Sequence, residues 1–159
     1  MEKISDVLNR LSKGLLVMIL TGMCVAIFLQ VIFRYLIHLP LYWTEEFGRY
    51  CLVWASLLGA AIALKGGENI AITLIMDRIP GKARMVIAHV SRISIALILL
   101  VIMIGGIKLV QVTLTQISPA LRVPMAVPYL AIPVSSAIML FHIIASMFPH
   151  GNRGETENP

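Results

Sequence analysis

Four long apolar stretches without a charged residue occupy most of this 159-residue sequence. They cover residues 15–33, 50–64, 93–107 and 123–148. A helix rises about 1.5 Å per residue, so roughly 20 residues cross the hydrocarbon core of a bilayer. Charged residues make up only 13% of the chain, against about a quarter in soluble domains, and 58% of it is hydrophobic. A water-soluble fold is therefore excluded, and the chain is predicted to be an integral membrane protein.

Helices are the predicted form of these stretches, because none of them alternates polar and apolar residues with the two-residue period of a barrel strand. The predicted fold is all-α, a single four-helix membrane domain over residues 1–149, with transmembrane helices at 14–37, 45–65, 85–110 and 126–148. Two short amphipathic helices, at 3–12 and 69–79, are predicted to lie on the membrane surface. Residues 150–159 are polar and rich in helix breakers, which predicts a disordered cytoplasmic tail.

The basic residues predict how the helices are oriented. With the N-terminus in the cytoplasm, the cytoplasmic side carries Lys3, Arg10, Lys13, Lys65, Arg78, Lys82, Arg84 and Arg153. Arg122 lies in the opposite linkers, and Arg34, Arg49 and Lys108 flank that face. The positive-inside rule therefore predicts that both termini are cytoplasmic. The first apolar run is too long for a signal peptide and lacks a small-residue cleavage pattern, so we expect a retained signal anchor.

The four stretches contain no Asp or Glu, and this limits the functions open to the chain. Ion-coupled carriers and proton pumps use buried carboxylates, so the chain is not predicted to move ions itself. Cys24 and Cys51 show no metal-binding spacing, and neither a cofactor, a metal site nor an enzymatic centre is predicted. The basic residues lie at helix ends rather than in a stripe, so nucleic acid is not a predicted partner.

Two other classes of membrane protein stay open. His89 and His142 are predicted to lie at similar depths in the third and fourth helices, which a bis-histidine haem of a membrane cytochrome could use. A small multidrug exporter also has four helices. Its mechanism needs an acid embedded in the first helix, where this chain offers Thr21, Cys24 and Gln30.

Small and basic residues suggest two further contacts. Ala55, Gly59 and Ala63 recur every fourth residue of the second helix, and such a face lets two helix backbones approach closely. On the cytoplasmic side, a group of basic residues is predicted to hold an anionic lipid headgroup. Its members are Lys65, Lys82 and Arg92.

The linker between the first two helices has the densest pattern of charged and aromatic residues. The pattern is Arg34-x5-Pro40-x2-Trp43-Thr44-Glu45-Glu46-x2-Arg49. Trp43 suits a membrane interface, and the two carboxylates open a helix where its dipole favours negative charge. Glu45 and Arg49, four residues apart, can form a simple surface ion pair worth at most about 1 kcal/mol. Alternatively, Arg34, Glu46 and Arg49 form a half-buried network that fixes the first two helices to each other or to a second protein, and the pattern leaves both interpretations open.

Together with this linker, several motifs resemble the small transmembrane (Q) subunit of the tripartite ATP-independent periplasmic (TRAP) transporter family. The motifs are Phe33-Arg34, Pro40-x2-Trp43-x-Glu45-Glu46-x2-Arg49, Trp54-x4-Gly59-Ala60, the Gly66-Gly67 turn, and Pro119-x4-Pro124-x3-Pro128-x4-Pro133. They follow one another in the family's order over residues 32–133. Family members often carry a His and an Asp shortly after the glycine turn, where this chain has Asn69 and Thr73.

The resemblance implies a protein of the bacterial inner membrane that works with two partners. One is a large multi-helix membrane subunit that binds substrate and sodium and moves by an elevator motion. The other is a periplasmic binding protein that delivers an organic anion such as a dicarboxylate, a keto acid or a sialic acid. The chain itself is then a scaffold that does not translocate substrate, surrounded by membrane lipids. On the outer side, Glu45, Glu46 and Arg122 are the predicted contacts with the binding protein.

Overall fold

The computed structural model describes the backbone of residues 2–76 and 81–147, and the side chains of residues 4–66, 86–87 and 89–145. Its elements are α1 (Glu2–Ile32), a π-helical turn at Phe33–Ile37, α2 (Tyr42–Met76), α3 (Gly81–Thr113), the short α4 (Ala126–Tyr129) and α5 (Ala131–Met147). The tail predicted at 150–159 lies outside the described residues, as does the side chain of Lys82.

Four helical segments of the described chain are long and apolar enough to cross a membrane. They are Ile4–Ile37, Tyr42–Gly66, His89–Thr113 and Ala126–Ala145. Apart from an isolated bridge between Ile117 and Pro124, the described residues hold no β-structure. The prediction of an all-α chain with four membrane-crossing helices is confirmed. A helix is the form that satisfies every backbone N–H and C=O within one segment, as the hydrocarbon core requires.

Helix α1 begins well before the first apolar stretch. Its less exposed side chains recur at alternating steps of four and three residues, a seven-residue repeat that points one stripe at the neighbouring helices. The stripe comprises Ser5, Asn9, Ser12, Leu16, Ile19, Met23, Ala26, Gln30 and Phe33. Because it continues without a break through residues 3–12, the separate surface helix expected there is instead the first turns of α1. Ser5 and Ser12 are buried in the bundle, whereas Ile4, Val7 and Leu11 are exposed.

Helix α2 also runs further than expected. The turn expected at Gly66-Gly67 is absent from the described backbone, which stays helical to Met76. Glycine inside a helix costs only about 1 kcal/mol relative to alanine, and no proline occurs in the sequence between Tyr42 and Pro80. The surface helix expected at 69–79 is therefore part of α2 as far as Met76, and residues 77–79 lie outside the described chain.

Helix α5 is the central element. It packs against α1, α2 and α3, and α1 and α2 also pack against each other. Among the described residues, α3 packs on α4 and α5 and makes no extensive contact with α1 or α2. The spanning helices therefore form two antiparallel hairpins, α1–α2 and α3–α5, that meet along α5. Leu58 of α2 and Ile143 of α5 are among the most completely buried side chains.

The small-residue row of α2 contributes less to packing within the chain than its spacing indicated. Ala55 is buried, but Ala63 is exposed and a Cβ added at Gly59 would meet no atom within 4 Å. Leu58 and Ala61 are buried instead. A row of every fourth residue rotates about 40° around the helix at each step, so it leaves the contact that Ala55 begins.

The contact between α3 and α5 depends on a single glycine. The inward stripe of α3 comprises Arg92, Ala96, Leu99, Met103, Gly106, Val110 and Thr113, again at steps of four and three. A Cβ at Gly106 would lie 2.8 Å from Cγ2 of Ile132 and 3.0 Å from Cδ of Pro133. Glycine therefore lets α3 approach the first turn of α5 closely. The neighbouring Gly105 has no atom within 4 Å of the same position.

We expect Gly106→Ala to destabilise the fold by roughly 1–3 kcal/mol, the usual cost of overpacking. The added methyl must displace Ile132 or Pro133. Thermal unfolding of the detergent-purified chain measures the effect, and Gly105→Ala, which adds the same methyl to open space, is the matched control. Equal melting temperatures for the two variants would contradict this packing.

Candidate functional site at the loop end of the bundle

The two interhelical segments that follow α1 and α3 lie at the same end of the molecule, which we call the loop end. The first is the α1–α2 linker, residues 38–41, and the second is residues 114–125 between α3 and α4. Backbone groups of the second segment hydrogen-bond to Glu46 in the first turns of α2. The loop end is therefore held together by contacts between the two helical hairpins.

Residues 116–125 form a narrow loop whose two sides bond to each other; we call it the 116–125 loop. The Ser118 N–H donates to the Val123 carbonyl at 2.9 Å, and the Met125 N–H donates to the Gln116 carbonyl at 2.8 Å. Arg122 lies at the tip with φ = 55°, in the left-handed region that few residues other than glycine adopt. The tip turns the backbone N–H groups of Ala120 and Leu121 towards α2.

Glu46 occupies the space between α2 and this loop. Its Oε2 accepts hydrogen bonds from the backbone N–H groups of Ala120 and Leu121, each at 2.9 Å, and its Oε1 accepts one from the Tyr50 hydroxyl. The side chain is only 8% exposed, so these donors replace the water that the carboxylate has lost. Hydrogen bonds to a charged group are stronger than those between neutral groups, and this carboxylate is the main polar contact that holds the loop end together.

Tyr50 and Trp54 continue the same face of α2, one and two turns beyond Glu46. The Tyr50 oxygen lies 3.4 Å from the Met125 sulfur, and the Trp54 indole N–H donates to the Val127 carbonyl at 3.2 Å. Three residues at a spacing of four thus dock α2 onto the segment that leads into α5. Sequence reasoning missed the role of Tyr50, although its position four residues after Glu46 signalled a shared helix face.

The remaining residues of the linker pattern do not join the Glu46 network. Arg34 and Arg49 are exposed, and among the described residues no ion pair joins Glu45 to Arg49. Glu45 instead accepts a hydrogen bond from the Gln30 amide at 3.4 Å. The predicted half-buried network thus differs from the observed one, because Glu46 bonds to backbone N–H groups far along the chain rather than to the two arginines.

Trp43 lies at the rim of the same end. It is 40% exposed, and its ring meets that of Phe47 edge to face, with centroids 6.3 Å apart. An aromatic residue that is half packed and half exposed suits the boundary between hydrocarbon and headgroups.

Two open clefts lie beside these residues. One, of about 350 Å³, lies between α2 and the 116–125 loop, and it is lined by Glu45, Arg49, Tyr50, Pro119 and Tyr129 among others. The second, of about 320 Å³, lies between α1 and α2 and is lined by Gln30, Arg34, Pro40, Leu41, Tyr42 and Glu45. Glu45 and Tyr42 line both, so the clefts adjoin. This end therefore offers open surface for a ligand or another protein.

At the opposite end, polar contacts hold the start of α1. Lys65 forms an ion pair with Asp6 at 2.7 Å, and Ser5 shares a 2.8 Å hydrogen bond with Nδ1 of His142. Lys65 is therefore engaged within the chain, and Arg92 lies in the inward stripe of α3, so these two residues do not form an outward lipid-binding cluster. The basic group predicted to hold an anionic headgroup is thus not assembled by the described side chains.

The histidines do not present a shared haem site. His142 is 3% exposed and directed towards α1 by its bond to Ser5, whereas His89 lies exposed on α3. Within the described chain, no group of three or more His, Cys, Asp or Glu side chains is arranged to hold a metal ion. The observed geometry is that of a hydrogen-bonded contact between α2 and the 116–125 loop, with an open cleft beside it.

Comparisons with known proteins are consistent with the geometry. The profile of the DctQ component of the tripartite ATP-independent periplasmic transporters matches residues 23–150. The isethionate TRAP transporter permease protein DctMQ of Oleidesulfovibrio alaskensis is 31% identical over 81% of this chain, which spans 22% of that protein's length. A putative TRAP transporter small permease protein of Haemophilus influenzae is 24% identical over 93% of this chain and 94% of its own. The sialic acid TRAP transporter small permease protein SiaQ of Vibrio cholerae is 22% identical over 93% and 86%, respectively.

We expect Glu46→Gln to loosen the 116–125 loop and to destabilise the chain, since a neutral amide forms weaker hydrogen bonds than a carboxylate to the backbone N–H groups of Ala120 and Leu121. Hydrogen exchange at the Ala120 and Leu121 amides should rise. Glu45→Gln removes the same charge one residue away, outside this network, and serves as the control. If exchange at the two amides were the same in both variants, Glu46 would not hold the loop.

Proposed function

The chain belongs to the DctQ component family of the tripartite ATP-independent periplasmic (TRAP) transporters, and we propose that it is a non-translocating scaffold for a large elevator-type subunit that imports an organic anion with sodium. The chain is thus a small permease subunit of a TRAP transporter, and this family consists of transporter subunits rather than enzymes. The membership also removes the membrane cytochrome and the small multidrug exporter as alternatives.

The observation that carries the scaffold role is the use of the carboxylates. The described membrane-crossing segments hold three, Asp6, Glu45 and Glu46, and all three lie near segment ends. Asp6 pairs with Lys65, and both oxygens of Glu46 accept hydrogen bonds from the chain itself. Coupling to sodium or protons needs an ionisable or oxygen-rich site near the middle of the membrane, which these residues do not supply.

A large membrane partner is proposed from the sizes of the relatives. Two small permease relatives match this chain over most of their own lengths, whereas the isethionate permease protein is several times longer than the region it shares with this chain. A region like this chain therefore occurs both as a separate protein and within a longer permease. The exposed apolar faces of α1 and α3 provide ample surface for such a partner.

The proposed orientation places both termini in the cytoplasm of a bacterium and the loop end on the periplasmic side of the inner membrane, as the distribution of basic residues favours. The cleft between α2 and the 116–125 loop then faces the periplasmic binding protein. Of the residues predicted to contact that protein, Glu46 is engaged within the chain and is withdrawn from the proposal. Glu45 and Arg122 are exposed and remain candidates.

The proposed cargo is an organic anion. Two of the relatives carry isethionate and sialic acid in their names, and both compounds are organic acids. In the proposed assembly, the large subunit and the binding protein select the substrate. The transported anion is therefore to be identified by testing a panel of anions for uptake.

Reconstitution tests whether the large subunit, rather than this chain, translocates the substrate. We expect proteoliposomes that hold this chain, the large subunit and the binding protein to accumulate one anion of a panel containing isethionate, a C4-dicarboxylate and a sialic acid, and to do so only with an inward sodium gradient. Omission of this chain should abolish uptake, because the large subunit then lacks the scaffold against which it moves. Accumulation of any panel anion by this chain alone would contradict the scaffold role.

Docking of the binding protein is tested at the tip of the 116–125 loop. Arg122→Asn removes the charge and keeps a residue type that tolerates φ > 0, so the loop fold is preserved. We expect about tenfold weaker binding of the binding protein to the membrane complex and a smaller dependence of that binding on salt. Lys108→Gln neutralises an exposed lysine of α3 and is the control. Unchanged affinity for Arg122→Asn would remove this residue from the docking surface.

A further inference from the structure

Arg34 lies at the depth of the lipid headgroups. The uncharged part of α1 covers residues 14–33, twenty residues that rise about 30 Å, the thickness of a typical hydrocarbon core. Arg34 follows immediately, in the π-helical turn. Tyr35, Tyr42 and Trp43 are 67%, 75% and 40% exposed around it, as in the aromatic belt of a membrane protein.

The cleft beside Arg34 contains charges of both signs. Arg34 and Glu45 line the same 320 Å³ space, and no ion pair joins them among the described residues. Glu45 accepts the Gln30 hydrogen bond through Oε1, and it also lines the cleft. A cleft lined by both a guanidinium and a carboxylate suits a ligand that carries both an anion and a cation.

The surroundings of the cleft favour a lipid over a soluble ligand or a protein segment. Pro40 and Leu41 line its wall, and Leu36 and Leu39, between Arg34 and Pro40 in the sequence, are 74% and 63% exposed. Exposed aliphatic side chains beside the headgroup layer favour an amphiphilic ligand over a fully soluble one. An anionic phospholipid fits less well, because the Glu45 carboxylate would repel a headgroup that lacks a cation.

We propose that this cleft binds the headgroup of an ethanolamine phospholipid, with its phosphate on the Arg34 guanidinium and its ammonium group on the Glu45 carboxylate. A guanidinium can hold a phosphate through two parallel hydrogen bonds, and an ammonium group donates three. The lipid would bridge the end of α1 to the start of α2 and brace that corner of the scaffold. The site depends on membrane insertion alone and does not require the proposed transport role.

Lipid titration of the full-length chain, purified with its large subunit and followed by native mass spectrometry, tests the site. The probes are palmitoyl-oleoyl phosphatidylethanolamine, the matching phosphatidylcholine and phosphatidylglycerol, and soluble phosphoethanolamine. We expect the ethanolamine lipid to bind about tenfold more tightly than each of the others, because it alone combines ammonium donors, a phosphate and acyl chains. Arg34→Gln and Glu45→Gln should each remove that preference.

Two variants separate this effect from a general loss of folding or charge. Arg34→Lys keeps one cationic contact and should retain part of the preference, whereas Lys108→Gln neutralises a cation outside the cleft and should retain all of it. Three outcomes would overturn the proposal. They are an unchanged preference in Arg34→Gln or Glu45→Gln, equal binding of soluble phosphoethanolamine, and release of the large subunit by these variants without a change in lipid affinity, which would identify a protein contact.

Discussion

The Glu46 carboxylate is the contact on which the arrangement of the loop end depends. Helix α3 touches α1 and α2 little, so at this end the α3–α5 hairpin is joined to α2 through the 116–125 loop and the start of α5. A buried carboxylate is costly unless its oxygens are satisfied, and here two backbone N–H groups and one hydroxyl satisfy them. The same bonds fix the loop, since Ala120 and Leu121 would otherwise present unpaired N–H groups next to α2. The loop therefore stabilises the buried carboxylate, and the carboxylate stabilises the conformation of the loop.

At the opposite end, other polar contacts join the helices. Asp6 and Lys65 join α1 to α2, and Ser5 and His142 join α1 to α5. Between the two ends, the helices meet through apolar and small side chains such as Ala26, Leu58 and Leu99. In a membrane, apolar surfaces gain little by leaving lipid for protein, so polar contacts at the ends and close backbone approach, as at Gly106, hold the helices in register. A bundle held by polar contacts at both ends is consistent with the proposed scaffold role.

The positions of the membrane-spanning helices were predicted well from the sequence, whereas the contacts between the helices were predicted poorly. Each outcome has a physical reason. Hydropathy finds spanning helices because a segment in hydrocarbon must satisfy its own backbone. Hydropathy does not reveal that α1 begins before the apolar stretch. The seven-residue repeat that includes Ser5 and Ser12 indicates these first turns of the helix. The linker pattern drew attention to Glu46, but the donors lie more than 70 residues away and are backbone N–H groups, which no residue type marks. The row through Gly59 and Ala63 was assigned to packing from its spacing, whereas helix geometry turns it out of the contact.

The spanning helices differ in how much of their surface is buried within the chain. In the most apolar windows of the first and third spanning segments, only 6% and 11% of residues are buried within the chain, against 33% in the fourth. α5 thus serves as the internal core, while α1 and α3 give most of their surface to lipid or to another protein. At the loop end, Arg34, Glu45 and Arg49 are exposed and line the two open clefts. A chain built in this way can contribute apolar contact area and polar residues at one end to an assembly, and both properties support the proposed scaffold role.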